Sequence, residues 1–350
     1  MTDIFQENSI NTKFTGYVMR EDMIVAAINE DVVADVNKQA PIFLQRTKNF
    51  EGWLEDRGAD LNRSFVRTIL KHLRLPVLNI IAAVKSVHAV CITDFFWIKG
   101  EGENLQYADV VFSNDIYFKA AIQGDPDIFE LKRVITPEIT NIGSFDKGWQ
   151  RHGNKWVLYK SGRPLEIFSE LFTANLAIAL GLDAVKYYAD SGFIACDNFV
   201  EDGWCFEPAK SLVGADTGYE RCVKAMSKLN ILNEYMDLIF MDAIVRNGDR
   251  HEFNFGILVS RDGAVKMAPN FDNNMAFFWS GIPTALSRND SMVDDFIDIY
   301  NEIDYALPVV TEALLRSVFR ETQREYPVDV KEDVAVEFCI NAYNRILNRS

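Results

Sequence analysis

Apolar positions recur at helical spacing in several stretches. In LNEYMDLIFMDAIVRN, Leu232, Tyr235, Met236, Ile239, Phe240 and Ala243 follow that period, and Gly248 stands just past the end. GRPLEIFSELFTANLAIALG predicts another helix, with Pro164 in its first turn and Gly181 as its C-terminal cap. TEALLRSVFRETQ and VAVEFCINAYNRIL predict helices near the end of the chain. Between the helices lie β-like runs. Trp156–Tyr159 is one; AVKYYA and GFIACDNFV form a pair around the turn Asp190-Ser191-Gly192. FGILVS and AVKMAPNFD flank a second turn, Arg261-Asp262-Gly263.

The first third, to about Gly124, mixes short strands and helices, including a strand and Gly-containing turn in DFFWIKGEGENL. LNRSFVRTILKHLRL places Phe65, Ile69, Leu70, Leu73 and Leu75 on one side of a predicted helix. Arg63, Arg67, Lys71 and Arg74 fall on the other. That basic side is either a docking face or a solvated one, and the solvated face is the simpler reading. GDPDIF is the linker candidate. The expected division is an extension over 1–125, a β-rich lobe over 134–200 and a helical lobe over 201–350.

Bulk composition adds exclusions. With 48% hydrophobic and 25% charged residues, the 350-residue chain can bury a core. Its net charge of −15 disfavours broad nucleic-acid binding. The cysteines at 91, 196, 205, 222 and 339 form no CxxC pair, which argues against a zinc site or disulfide framework and fits a reducing cytoplasm. The first residues lack a signal-peptide pattern, and LPVLNIIAAVKSVHAVCITDFFW is broken by Lys85, His88 and Asp94, so no membrane span is expected.

The chemistry concentrates in NGDRHEFNFG. Asp249 and Asn254 are five positions apart, and Asp272 follows Asn254 by eighteen, after the hairpin-like excursion. Phosphoryl transfer from ATP needs a carboxylate to orient the acceptor hydroxyl, for which Asp249 is the candidate. It also needs oxygen ligands for Mg²⁺, for which Asn254 and Asp272 are candidates. Upstream, Lys160 closes KWVLYK and can neutralise phosphates, with Glu170 or Glu166 on the next helix to hold it. Glycines at 143 and 148 would admit phosphate to backbone N–H groups, and Lys147 would add charge. The order of these parts is the two-lobe kinase order.

The set resembles the HipA-type serine/threonine kinases in NIGSFDKG, SELFTANLAIALGL, IACDNFV, GDRHEFNFGIL and MAPNFD, over roughly Val134 to Ala276. The resemblance implies an α+β, two-lobe protein-kinase-like fold with a small β-rich lobe, a mainly helical lobe and an N-terminal α/β extension. It selects Glu170 over Glu166 and places Asp197, Asn198 and Phe199 beside adenine. It makes Gly143, Ser144 and Lys147 part of the ATP loop, and Thr140 or Ser144 a site of autophosphorylation. It implies a protein substrate with a Ser or Thr acceptor and a small DNA-binding antitoxin as partner. Two positions depart from ordinary kinases: Asn247-Gly248 replace the His-Arg before the catalytic Asp, and Asn273 replaces the Phe of Asp-Phe-Gly. His251 either assists catalysis or holds the loop; Arg250 either steers phosphate or pairs with a carboxylate. Trp149 and Trp156 are read as core. The D-R-H-x-x-N form also resembles phosphoinositide-kinase loops, so a lipid acceptor is an alternative, as is a nucleotide-binding regulator without catalysis.

Overall fold

The structure is a computed structural model and describes residues 13–215, 218–277 and 291–349. Contacts divide the chain into two compact units, 1–161 with 200–207 and 259–264, and 162–199 with 208–258 and 265–350.

The first unit opens with β1 (Gly16–Arg20), β2 (Met23–Asn29) and β3 (Val32–Val36). Glu30 and Asp31 both take positive φ, 50° and 63°, so the β2–β3 turn has the primed geometry that matches strand twist. Helices α1 (Ile42–Thr47), α2 (Phe50–Glu55), α3 (Val66–His72) and α4 (Ile80–Ser86) follow. β4 (Phe96–Gly100) then completes an antiparallel sheet in the order β3-β2-β1-β4. After α5 (Tyr107–Val110) and α6 (Phe118–Gln123) comes the hairpin of β5 (Lys147–His152) and β6 (Lys155–Lys160), turned at Gly153 with φ 65°.

Two expectations change here. Helix α3 covers only the middle of the stretch 61–75, and Arg63 lies before it, buried rather than on a solvated face. The expected boundary near GDPDIF falls inside the first unit. Ile128 and Ile139 share one apolar core with Leu44, Phe50, Leu54, Ile69 and Trp97. Arg133 Nε and Tyr117 Oη also bond His72 O and Lys132 O, at 2.9 and 3.0 Å. Polar connecting residues do not make a linker when apolar neighbours are buried in the common core.

A buried ion pair stands within this core. Arg57 donates through Nη1 and Nη2 to the two carboxylate oxygens of Asp94, both at 2.9 Å, through Nε to Ala89 O, and stacks over Trp53 at 4.6 Å.

The second unit begins with α7 (Pro164–Ala179). Pro164 occupies its first turn and Gly181, at φ 78°, follows its end, as the sequence predicts. β7 (Tyr187–Asp190) and β8 (Phe193–Asp197) pair antiparallel through Ser191 and Gly192, at φ 52° and 86°. β9 (Trp204–Pro208) belongs almost wholly to the first unit. Then come α8 (Ala209–Val213), α9 (Tyr219–Lys228) and α10 (Leu232–Val245). β10 (Gly256–Ser260) and β11 (Val265–Met267) form the expected hairpin. α11 (Ser291–Glu302), α12 (Glu312–Glu325) and α13 (Glu332–Asn348) complete the unit. Phe172 of α7 stacks on Phe277 at 4.5 Å, and Phe338 of α13 meets the Phe277 edge at 5.5 Å. This aromatic column joins α7, the chain beyond Asp272 and α13. In α11, Val293, Phe296 and Ile297 are buried while Asp294, Asp295 and Asp298 face solvent; Asn289 and Asp290 lie outside the described residues. No helix among the described residues is long and apolar enough to cross a membrane.

Asp94→Ala leaves the Arg57 charge buried without its carboxylate. It is expected to destabilise the first unit by about 3–5 kcal/mol, read by chemical denaturation. A loss of about 0.5 kcal/mol or less would contradict a buried, energetically coupled pair.

Candidate functional site

In the second unit, α10 ends at Arg246, whose left-handed φ of 52° turns the chain out of the helix. Arg246 Nη1 donates to Phe338 O at 2.8 Å and its guanidinium lies 4.3 Å from the Phe338 ring, which anchors this cap. The loop 247–254 starts from that fixed point.

Arg250 organises the loop. Its Nε and Nη2 donate to the two carboxylate oxygens of Asp242 at 2.9 and 2.8 Å. Nη1 donates to Asn254 O at 2.6 Å and Phe271 O at 2.7 Å. Nη2 also reaches Asn270 Oδ1 at 3.0 Å and Asn273 Oδ1 at 2.7 Å. Burial works against this guanidinium's charge, but Asp242 first, then Asp272 and Glu170, push its pKa up. Of the two roles open in the sequence, pairing with a carboxylate is the one seen. The departure at Asn273 acquires a reason too: its Oδ1 accepts from Arg250 and from Asn247 Nδ2, and its N–H donates to Glu170 Oε1 at 2.9 Å. A phenylalanine could make none of the side-chain contacts.

This network brings Asp249, Asn254 and the turn at Asp272 together. Asn254 Nδ2 donates to Asp249 O at 2.8 Å, so its Oδ1 remains the acceptor end. Asp272 adopts φ 61°, which Asp tolerates better than most residues, and its N–H approaches Tyr187 Oη at 3.5 Å. A parallel bridge between Ala184 and Asn270 holds the turn from the other side, with Val185 N donating to Asn270 O at 2.9 Å. Burial pushes the Asp249 carboxyl above its ordinary range; His251 opposes this, and the negative charge of Asp272 adds to it. Carboxylates beside an amide oxygen are the oxygen donors that a hard divalent cation prefers. Among the described residues no cluster of three or more His, Cys, Asp or Glu could hold a metal ion.

His251 is exposed, and its Nδ1 accepts from Phe253 N at 3.3 Å, a loop-holding contact. Glu166 accepts from Arg163 N at 2.7 Å and so caps α7, while Glu170 is fully buried on the Asn273 N–H. Asp197 is exposed at the end of β8, and Phe199 stacks on Phe271 at 5.3 Å, which occupies one of its faces.

The first unit carries the other predicted residues. Gly143 has φ 111°, a conformation that favours glycine, and a Cβ there would lie 2.3 Å from Lys147 Nζ, the mobile end of that side chain. Lys147 is thus folded beneath the loop. It pairs in register with Lys160 across β5 and β6, which puts both side chains on one face of the hairpin. Both lysines are buried. Ser144 is exposed at the tip. Thr140 is buried and its hydroxyl donates to Val90 O at 2.7 Å, so its phosphorylation would require the segment to leave this position. At Gly148 a Cβ would meet Phe118 of α6 at 3.0 Å, so this glycine also lets β5 pack closely on α6. Trp149 is core, as expected.

The sequence reading missed Glu138, Asp242 and Arg63. Asp242 had a signal, since it is a charge within an otherwise apolar run of α10 that is buried nearly all round. Glu138 and Arg63 had none, because their partners are distant in sequence. Glu138 is buried; its two oxygens accept from Trp149 N at 2.8 Å and Asn141 Nδ2 at 3.0 Å. Burial pushes its pKa up to about 7, against the pull of Arg63 and these bonds.

No family model matches the chain, and no curated protein matches it. Solved structures do. The Helicobacter pylori proinflammatory kinase CtkA is similar with 17% identity over 58% of this chain and 90% of its own, at a TM-score of 0.40. HipA of the Shewanella oneidensis MR-1 toxin–antitoxin system, solved with HipB and its operator DNA, is similar with 13% identity, a TM-score of 0.47 and 96% coverage of both chains. The chain itself combines helices with small antiparallel sheets.

Arg250→Met is expected to cost about 3–5 kcal/mol in denaturant unfolding, because it leaves Asp242 buried and unbalanced. Arg250→Met with Asp242→Leu removes both charges and should recover most of that loss; a double variant no better than the single would refute the pairing. Glu138 supplies a pH test. Its folded pKa lies above its ordinary value of 4.5, so its stabilising contribution is full below that value and is lost as pH rises through about 7. Melting temperature should therefore fall over this window in wild type, and Glu138→Gln should flatten that fall.

Proposed function

We propose that the chain is a kinase that uses ATP with Mg²⁺ and transfers the γ-phosphoryl group to a Ser or Thr hydroxyl of a protein. One observation carries this reading above the others: Arg250 ties the loop bearing Asp249 and Asn254 to the turn bearing Asp272. Asp249 would orient the acceptor hydroxyl and take its proton, a role helped by a carboxyl whose proton affinity is raised. Asn254 and Asp272 would hold Mg²⁺, which when bound offsets charge on the phosphates. Lys160 would face phosphate oxygens, with Glu170 its proposed partner, and Gly143, Ser144 and Lys147 would form the phosphate loop. Asp197 and Phe199 are proposed for the adenine side, and His251 for holding the catalytic loop. Ser144, being exposed, is the better supported autophosphorylation candidate. A small DNA-binding protein is the proposed partner.

The test is label transfer from γ-labelled ATP with Mg²⁺ to added protein and to the chain itself. Asp249→Asn should lower kcat by about 10²–10⁴-fold, the usual contribution of a general base. Equal transfer by wild type and variant would sink the assignment. Nucleotide binding with transfer by neither would favour a non-catalytic regulator. Transfer to phosphoinositide vesicles but not to protein would favour the lipid alternative.

A further inference from the structure

The residues before α3 run alongside the Gly-rich loop and bond it at successive points. Ala59 N donates to Ile139 O at 2.8 Å, just ahead of the loop. Arg63 Nη1 donates to Asn141 O at 2.7 Å, where the loop begins, and Nη2 to Lys147 O at 2.5 Å, where it ends. Ser64 N donates to Asp146 Oδ1 at 3.1 Å. One buried guanidinium, 2% exposed, therefore spans the two ends of a loop more than seventy residues away in sequence.

The acceptors matter as much as the distances. In a trans peptide the carbonyl and the next N–H point in opposite directions, and the described chain contains no cis bond. A carbonyl of Asn141 turned toward Arg63 turns the Ile142 N–H away from it. The same clamp fixes the start of β5 at Lys147, whose amine lies beneath Gly143. Glu138 acts on the other side, through Asn141 Nδ2 and Trp149 N. Burying an arginine here is costly unless its donors are met. Burial pushes its pKa down, against the longer-range pull of Glu138, Asp146 and Asp60, and its buried Nε has no acceptor among the described residues, so the two carbonyl bonds carry its satisfaction.

We propose that Arg63 is a positioning residue for the Gly-rich loop, holding both of its ends so that the loop's N–H groups and Lys147 face the phosphates of ATP. The inference rests on the kinase reading above, and it assigns the N-terminal residues a part in nucleotide binding in place of a docking role. Lysine cannot substitute fully, because a single ammonium lacks the planar fork that reaches two carbonyls at once.

Hydrogen exchange on the full chain without nucleotide tests the clamp independently of catalysis. In Arg63→Met, exchange of amides 142–149 should rise about tenfold or more while the β1–β4 sheet keeps its protection. Arg63→Lys should give a smaller rise confined to the same amides, and it decides the matter alone if Arg63→Met does not fold. Unchanged loop exchange in the folded variants, or a rise spread evenly over the first unit, overturns the proposal. The functional half is read with Mg·ATP: KM for ATP should rise about tenfold in Arg63→Lys with kcat within about twofold of wild type. A fall in kcat at constant KM would overturn it. If wild type transfers no phosphate, a fluorescent ATP analogue replaces kinetics. Equal affinity of wild type and Arg63→Lys for it then counts against the proposal, while the lack of transfer counts against the kinase reading.

Discussion

The buried guanidinium of Arg250 is the constraint on which the second unit's polar centre depends. It reaches a carboxylate on a helix, two backbone carbonyls on separate loops and two asparagine side chains. A buried charge is tolerated only when nearly every donor is met, so these segments have few other ways to pack. Such a pair contributes little net stability compared with apolar residues of the same volume. Its value lies in fixing where the loop of Asp249 and Asn254 stands relative to the turn of Asp272.

The first unit solves a similar problem with the same chemistry. Irregular backbone leaves carbonyls without ladder partners, and buried ones must find donors. Arg63 supplies two, while Glu138 supplies acceptors for an N–H and an amide. Arg57 does likewise for Ala89 O and Phe96 O deeper in the same unit. Arginine suits each place because its planar fork keeps charge when desolvated and serves several acceptors at fixed angles.

Much of the fold was legible because it depends on neighbours in sequence. Pro164 and Gly181 bracket α7 through their own backbone preferences. Ser191-Gly192 sets the β7–β8 turn through positive φ, and the apolar period of α10 marks a helix. Spacing and residue type marked Asp249, Asn254 and Asp272 as candidates in the sequence, while the Arg250 link between their two segments was not legible there. Periodicity misled at Arg63, where a helical wheel drawn through 61–75 assigned a solvated face to a residue that precedes the helix and is buried.

By itself the sequence determined α7 and α10 with their end signals, the turns at Ser191-Gly192 and Asp262-Gly263, and which side chains stand as candidates for phosphoryl transfer. Only the tertiary structure decided what those groups bond. It made Arg250 a brace, gave Glu166 to a cap and Glu170 to the Asn273 N–H, closed Thr140 against Val90 and set Arg63 across the Gly-rich loop. The reason is that local preferences act through φ, ψ and neighbours a turn apart. The partner of a buried polar group is chosen by which distant backbone is left with an unmet donor or acceptor, and that is defined only once the chain is packed.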